Sequence, residues 1–271
     1  MPNVHFLGIG GSGASAAAAI AQSQGYEVTG CDLQPQNEFT TQFNSSQLLQ
    51  GHSPKHIKNI DILAVTPAIY SLDPKNPELV AAKKAGVPIM TWQQCLGKYL
   101  TKNEQSSFAS QSKFVIAVAG THGKTTTTAM IAKMLEETGL DPTVALGAIV
   151  PWWGTNYRIG KSKYFVVEAD EYNDNFLAFK PDISVITNIE MDHPEYFKNF
   201  ADYKKSFNKF IWQSKKLIDK PDSGLINFPL KVAGEFNILN ASLAYQVGLL
   251  LGINPQKMKK SLSGYAGVGR R

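Results

Sequence analysis

A glycine-rich segment that follows an apolar run offers the clearest chemistry in the sequence. Residues 114–119 (FVIAVA) predict a buried β-strand, and a tight turn leading into a helix is predicted for the next residues, which are Gly120, Thr121, His122, Gly123, Lys124, Thr125 and Thr126. The backbone N–H groups of such a turn and the helix N-terminus bind phosphate oxygens. Lys124 would add a positive charge, and the Thr125 hydroxyl would be a ligand for Mg²⁺. The segment predicts a nucleoside triphosphate site, although Val118 stands where the strict phosphate-loop pattern has glycine.

Two further candidates follow strands of the same predicted sheet. Residues 164–168 predict a strand that ends at Glu168, and residues 182–187 predict another, with His193 a few residues later. Because parallel strands present their carboxyl ends at one edge, Glu168 would offer an oxygen ligand to a phosphate-bound Mg²⁺. His193 would offer a ring nitrogen. Lys124, Glu168 and His193 are therefore the predicted catalytic residues, and Thr125, Glu168 and His193 the predicted metal ligands. The alternatives are a solvated acidic turn and a structural histidine.

The N-terminus carries a second glycine-rich turn, with the spacing G-x-G-x-x-G. A short strand begins near Val4, the turn contains Gly10, Gly11, Ser12 and Gly13, and an alanine-rich helix follows. Asp32 comes at the end of the next predicted strand, where dinucleotide-binding folds place the acid that contacts a ribose hydroxyl. On these residues alone the expected ligand is NAD. The alternative is that the glycine-rich turn serves only tight backbone packing and binds no ligand.

The order of the elements predicts an α/β protein. Strands alternate with helices along the chain, which indicates parallel sheets covered on both faces. A length of 271 residues is typical of two domains. We predict a Rossmann-like N-terminal domain over residues 1–101, a polar linker over 102–112, and a P-loop ATP-binding parallel-sheet domain over 113–271.

Composition narrows the class of partner. The chain is 43% hydrophobic and 18% charged with a net charge of +5, as expected of a globular protein with an anionic small-molecule ligand. Its basic residues occur only in pairs, which argues against nucleic acid. The N-terminal apolar stretch is interrupted by glycines, so it predicts neither a signal peptide nor a membrane span. Two cysteines, Cys31 and Cys95, suit a reducing compartment. These features predict a cytoplasmic protein without a nucleic-acid or membrane partner.

Several motifs in a fixed order resemble the Mur ligase family, and together they span nearly the whole chain. They are Gly8-Ile-Gly-Gly-Ser-Gly13, Gly51-His52, Asn76-Pro-Glu-Leu79, Gly120-Thr-His-Gly-Lys-Thr-Thr126, Glu168-Ala-Asp-Glu171, Thr187-Asn-Ile189 with Asp192-His193, and Asn237-x-x-Asn240. The sequence departs from the family at Thr66-Pro67, where Ser-Ser is usual, and at Gly234-Glu-Phe-Asn237, which lacks the usual histidine.

The resemblance implies an ATP- and Mg²⁺-dependent ligase that joins L-alanine to UDP-N-acetylmuramate through an acyl phosphate, in peptidoglycan synthesis. It implies that the N-terminal turn holds the UDP moiety rather than NAD, near Asp32, His52 and Thr66, and that Asn237 and Asn240 contact adenine. Three alternatives stay open: a ligase that adds a recycled tripeptide to the same sugar nucleotide, a non-catalytic nucleotide-binding fragment, and an NAD-dependent oxidoreductase.

The resemblance also concerns the C-terminus. The sequence stops about where the third domain of the family begins, and that domain closes over ATP and helps to bind the amino acid. The resemblance therefore predicts that this chain binds both nucleotides and catalyses slowly unless a separate C-terminal domain is added in trans.

Overall fold

The computed structural model describes residues 1–97 and 113–269. The chain divides into two units, Met1–Ser112 and Lys113–Arg271. The predicted linker, residues 102–112, lies outside the described residues. The sequence also predicts a helix from Trp92 to Leu100, and its last part lies outside the described residues as well. The division into a sugar-nucleotide domain and an ATP-binding domain stays a prediction.

The first unit is built on one parallel sheet of five strands in the order β3-β2-β1-β4-β5. Its strands are β1 (Asn3–Leu7), β2 (Glu27–Asp32), β3 (Leu48–Gln50), β4 (Ile62–Val65) and β5 (Ile89–Thr91). Its helices are α1 (Ser12–Ser23), α2 (Ile69–Leu72), α3 (Pro77–Ala85) and α4 (Trp92–Cys95). The six alanines of α1 favour a helix, and their small side chains are buried.

The second unit is built on a six-stranded sheet in the order β11-β10-β6-β9-β7-β8. Its strands are β6 (Phe114–Ala119), β7 (Thr143–Val150), β8 (Thr155–Arg158), β9 (Tyr164–Glu168), β10 (Ile183–Ile186) and β11 (Lys216–Ile218). Its helices are α5 (Lys124–Glu137), α6 (Phe200–Trp212), α7 (Glu235–Leu250) and α8 (Pro255–Ser263).

The α/β class is confirmed, with one difference in the second sheet. The prediction was an all-parallel sheet, but β8 pairs with β7 in the antiparallel direction. The four residues between these strands form a turn in which Gly154 has a φ of 70°. Such a short connection can only join antiparallel strands, because parallel strands need a long crossover.

One hydrophobic core of the second unit fixes the helices that matter for the site. Side chains of β6, α5 and α7 share it, among them Ile116, Met130 and Val247, which are each fully buried. Burial of this apolar surface holds the N-terminus of α5 at the carboxyl end of β6.

Among the helices of the described ranges, none has the length and apolar character that a membrane crossing requires.

Candidate nucleotide and metal sites

The loop between β6 and α5 has a backbone that requires glycine at two positions. Gly120 and Gly123 have φ values of 134° and 81°, in the left-handed region. A Cβ atom on Gly120 would lie 2.1 Å from Thr187 Oγ1, and one on Gly123 would lie 2.5 Å from Asn240 Oδ1. The loop is therefore closely packed on both sides, and it leads directly into α5 at Lys124.

Lys124 is held over this loop by three partners. Its Nζ donates to the carbonyl oxygens of Gly120 (2.6 Å) and Thr121 (3.3 Å) and to both carboxylate oxygens of Glu171 (2.8 and 3.1 Å). Glu171 is fully buried and also accepts from the Tyr203 hydroxyl at 3.2 Å. Burial raises the pKa of Glu171, and the nearby Lys124 opposes this only in part. The sequence analysis named Lys124 and chose Glu168 as the functional carboxylate, and it named Glu171 only as the last residue of the Glu168-Ala-Asp-Glu171 motif.

The structure brings the predicted metal ligands Thr125 and Glu168 together. Thr125 Oγ1 donates to Glu168 Oε1 at 2.9 Å, and the Gly147 backbone N–H donates to the other carboxylate oxygen at 2.7 Å. Glu168 is the last residue of β9, which neighbours β6 in the sheet. A hydroxyl and a carboxylate at the phosphate loop are the hard oxygen ligands that Mg²⁺ takes, so these residues fit that ion.

His193 lies close to two other acidic residues. One potential ligand atom each from Asp170, Glu171 and His193 lies within 4.8 Å of the others. The His193 Nδ1 is also 3.1 Å from Glu195 Oε1, and its ring packs 5.0 Å from that of Tyr172. A joint metal site of Glu168 and His193 stays a prediction, and Asp170 and Glu171 are the acidic partners of His193 that sequence reasoning missed.

The remaining loop residues differ in what they contact. The buried Thr121 hydroxyl donates to the Glu190 carbonyl at 2.8 Å and lies 3.0 Å from the Tyr203 hydroxyl. The His122 backbone N–H donates to Asn188 Oδ1 at 2.9 Å, while its side chain is 69% exposed. Thr126 is half-buried in the first turn of α5. The exposed His122 is thus the loop side chain most accessible to a ligand.

The two asparagines predicted to contact adenine lie on one face of α7, since they are three residues apart. Both are largely buried. Asn237 Nδ2 donates to the Ala233 carbonyl at 2.6 Å, and Asn240 lies against Gly123 of the loop. The structure therefore places Asn240 beside the loop, and the adenine contact of either residue stays a prediction.

In the first unit, the N-terminal turn is closed by Asp32. Its Oδ2 accepts from the Gly10 backbone N–H at 3.0 Å, and Asn37 Nδ2 donates to the Gly10 carbonyl at 2.9 Å. Gly13 packs so tightly on Trp92 that a Cβ would lie 2.1 Å from the indole ring. Asn37 and Trp92 are residues that the sequence did not single out, because neither belongs to a recognisable spacing.

The other predicted substrate residues lie at the carboxyl ends of the same strands. Gly11 precedes the first turn of α1, which begins at Ser12. Thr66 follows β4, and His52 lies two residues after β3. The sheet thus presents all the predicted substrate residues at one edge, which is where open α/β sheets bind ligands.

Two family models match the chain. The Mur ligase family catalytic domain matches residues 3–103, and the Mur ligase middle domain matches residues 118–220.

Curated relatives agree with these matches. The UDP-N-acetylmuramate–L-alanine ligase of Acetivibrio thermocellus is 33% identical over 99% of this chain and 66% of its own length. The enzyme of the same name from Caldanaerobacter subterraneus is 32% identical over 99% of this chain and 67% of its own length. The chain therefore spans about two thirds of the length of the curated relatives it matches.

Solved structures have the same fold. The UDP-N-acetylmuramate-alanine ligase of Thermotoga maritima superposes with a TM-score of 0.85 at 28% identity, covering 100% of this chain and 70% of that one. A UDP-N-acetylmuramate:L-alanyl-gamma-D-glutamyl-meso-diaminopimelate ligase from Neisseria meningitides gives a TM-score of 0.81 over 100% of both chains. At 21% identity, this second likeness supports the fold alone.

Proposed function

Since the chain belongs to the Mur ligase family, whose members are ATP-dependent amide-forming ligases, we propose that it joins L-alanine to UDP-N-acetylmuramate. The observation that carries this proposal is the loop from Gly120 to Thr125, in which glycine-dependent backbone, Lys124 and the Thr125–Glu168 pair converge at one sheet edge. Relatives named for L-alanine at 32–33% identity favour this substrate over the recycled tripeptide.

In the proposed reaction, the γ-phosphoryl group of ATP passes to the lactyl carboxylate of the muramate, and ADP leaves. The amine of L-alanine then attacks the acyl phosphate, and inorganic phosphate leaves as the amide forms. The two reactants of the first step, ATP and the lactyl carboxylate, are both anions, so the site must offset their repulsion. Lys124 and the loop N–H groups supply positive charge on the phosphate side.

Thr125 and Glu168 are the residues proposed to hold Mg²⁺, with His193 as a third candidate. When bound, Mg²⁺ neutralises phosphate charge during transfer. The Gly147 N–H and the Thr125 hydroxyl already orient Glu168 for this role, so its carboxylate is held in one conformation before an ion binds.

For the sugar nucleotide, we propose the glycine-rich turn of the first unit, with Asp32, His52 and Thr66 at the same edge. The turn stands at the N-terminus of α1, which favours a diphosphate. A cytoplasmic location is part of the proposal, because the reaction consumes ATP and the two cysteines are free. A separate C-terminal domain as a partner stays a prediction.

The test combines binding with product analysis. Calorimetry should show that Mg-ATP and UDP-N-acetylmuramate each bind, with NAD as the control ligand for the first unit. With both nucleotides and L-alanine present, ADP release should be accompanied by UDP-N-acetylmuramoyl-L-alanine in the mass spectrum. The same mixture with tripeptide in place of L-alanine is the matched control.

The outcomes separate the alternatives. Product with tripeptide but not with L-alanine would assign the chain to the recycling reaction instead. Tighter binding of NAD than of the sugar nucleotide would overturn the ligase assignment of the first unit. Binding of neither nucleotide would overturn the proposal as a whole.

A further inference from the structure

A cluster of metal-ligating side chains lies in the first unit and has no part in the proposed reaction. We call His5, Cys31, His56 and Glu78 the His5 cluster. One ligand atom from each of these residues lies within 4.8 Å of the others. His5 and Cys31 come from the neighbouring strands β1 and β2, His56 from the short helix Pro54–Ile57, and Glu78 from the first turn of α3.

The cluster contains two buried polar atoms that face each other. His5 Nε2 and Glu78 Oε2 are 3.2 Å apart and both side chains are fully buried. Apart from this contact, neither atom has a hydrogen-bond partner within the described residues. The other ring nitrogen of His5 lies 2.8 Å from Thr29 Oγ1. When that nitrogen donates to Thr29, Nε2 directs a lone pair at a carboxylate oxygen. Such an arrangement is stable only with a proton or a cation between the two atoms.

The remaining contacts bring soft and borderline donors to the same point. Glu78 Oε1 accepts from Cys31 Sγ at 3.1 Å and from the Ser53 N–H at 3.0 Å, and it lies 2.9 Å from His56 Nδ1. A thiolate, two imidazoles and a carboxylate form a four-ligand set of the kind that binds Zn²⁺. The Thr29 hydroxyl would hydrogen-bond to the His5 ring nitrogen that does not bind the metal, and would so orient the ring.

We propose that His5, Cys31, His56 and Glu78 form a structural Zn²⁺ site. Without metal, the proton between His5 and Glu78 is held on Nε2, and Nδ1 accepts from the Thr29 hydroxyl. Binding moves this proton to Nδ1, so His5 stays neutral, and displaces one proton from the Cys31 thiol to solvent. The Cys31 sulfur then bonds to the metal instead of donating to Glu78. The thiolate and the carboxylate together balance the charge of Zn²⁺, so the buried site becomes neutral overall. The site would join both strands, the short helix and α3 in the first unit.

The electrostatics of the cluster agree with a cation site. Burial and the nearby Glu78 raise the pKa of the Cys31 thiol, so the thiol stays protonated until a metal displaces the proton. Burial alone would raise the pKa of Glu78, but its contacts with His5, Cys31 and the Ser53 N–H outweigh burial and lower the pKa to about 2. Glu78 is therefore a buried carboxylate that is charged at neutral pH.

One member of the cluster adjoins a cavity. His56 lines a cavity of about 660 Å³, together with Thr29, Lys55 and Lys58. Cys31 Sγ also lies 3.5 Å from Nδ1 of His52, a predicted substrate residue. A metal at Cys31 would thus fix the loop that carries His52, independently of whether the proposed ligase reaction is correct.

The test uses the untagged chain, stripped of metal with a chelator and titrated with Co²⁺ as a coloured substitute for Zn²⁺. We expect one equivalent of Co²⁺ to produce thiolate-to-metal charge-transfer absorption, and one equivalent of Zn²⁺ to abolish it. Cys31→Ser should lose this absorption. Cys95→Ser is the matched control, because Cys95 is the other buried free cysteine, and it should keep it. Ions at Asp170, Glu171 and His193 would not give the signal, since that group has no sulfur.

A second variant distinguishes the loss of a metal ligand from misfolding. His56→Ala removes a ligand whose side chain is 14% exposed, and it should weaken Zn²⁺ binding about tenfold or more while circular dichroism stays unchanged. Calorimetry of the parent chain in buffers of different ionisation enthalpy should show release of one proton per Zn²⁺. A folded parent chain without charge-transfer absorption, or with absorption retained in Cys31→Ser, would overturn the site and leave the His5 cluster as a proton-bound network.

Discussion

The contact that controls the phosphate loop is the ion pair between Lys124 and Glu171. Glu171 is fully buried, whereas Lys124 keeps 14% of its side chain exposed. An ammonium group has three protons, and Lys124 already donates to Gly120, Thr121 and Glu171. To contact a phosphate, Lys124 must therefore give up one of these hydrogen bonds. The ion pair with Glu171 limits how far the Lys124 ammonium group can move.

At the residue scale, we predict that Lys124→Ala impairs both stability and ATP binding. The substitution leaves Glu171 buried without its cation, which costs about 3 kcal/mol or more of unfolding free energy. It also removes the positive charge of the loop, so Mg-ATP affinity should fall about tenfold or more. Denaturant unfolding and calorimetry measure the two effects.

Two further variants separate these effects. The double variant Lys124→Ala with Glu171→Gln removes both charges, so it should regain most of the stability without regaining ATP affinity. Lys133→Ala, on the same helix, removes a lysine that pairs with the more exposed Glu137, and it should leave Mg-ATP affinity unchanged. Recovery of ATP binding in the double variant would show that Lys124 serves only to neutralise Glu171.

At the scale of elements, the α5 helix offers a matched pair of glycines, one at each end. Gly123 precedes α5 with a φ of 81°, and Gly139 follows it with a φ of 86°. A Cβ at Gly139 would meet no described atom within 4 Å, whereas one at Gly123 would lie 2.5 Å from Asn240 Oδ1. The two positions share backbone strain and differ in packing.

We predict that Gly139→Ala costs about 1 kcal/mol of unfolding free energy, from the left-handed backbone alone. Gly123→Ala should cost about 1–3 kcal/mol more, because the loop must move away from α7. Only Gly123→Ala should weaken Mg-ATP binding. Chemical denaturation and calorimetry of both variants give the comparison, and equal losses of stability would contradict the close approach of Asn240.

The elements that sequence reasoning predicted well are those with local signals. The sequence predicts a helix from Pro77 to Ala85, and the structure has the same bounds. The Asn76 side chain caps its N-terminus, Pro77 begins it and Gly86 ends it in the left-handed region. By contrast, β8 and β11 were not predicted. They have four and three residues, and their pairing depends on neighbours far along the chain.

In the candidate site too, the sequence predicted the residues that have a local signal and missed the others. Glycine spacing located the loop, and strand ends located Glu168, so the Thr125–Glu168 contact could be anticipated. The Lys124–Glu171 pair could not, because Glu171 lies three residues past the end of β9, where the strand no longer sets the direction of the side chain. The His5 cluster was equally hidden, since its members come from separate elements that only the folded sheet brings together.

At the scale of the whole molecule, the two units each have their own sheet and their own candidate ligand edge. The glycine-rich turn of the first unit follows β1, and the phosphate loop of the second follows β6. Because no residue is shared between the two candidate sites, each ligand should stabilise the unit to which it binds.

Hydrogen exchange with mass spectrometry tests this expectation directly. A ligand present at about 100 times its dissociation constant stabilises the state it binds by about 2.7 kcal/mol, which slows exchange through unfolding of that unit about 100-fold. UDP-N-acetylmuramate should therefore slow exchange in peptides of β1 and β2, and Mg-ATP in peptides of β6 and α5, with NAD slowing neither. Equal protection of both units by a single nucleotide would contradict two separate sites, because a ligand stabilises only the structure whose unfolding destroys its binding site.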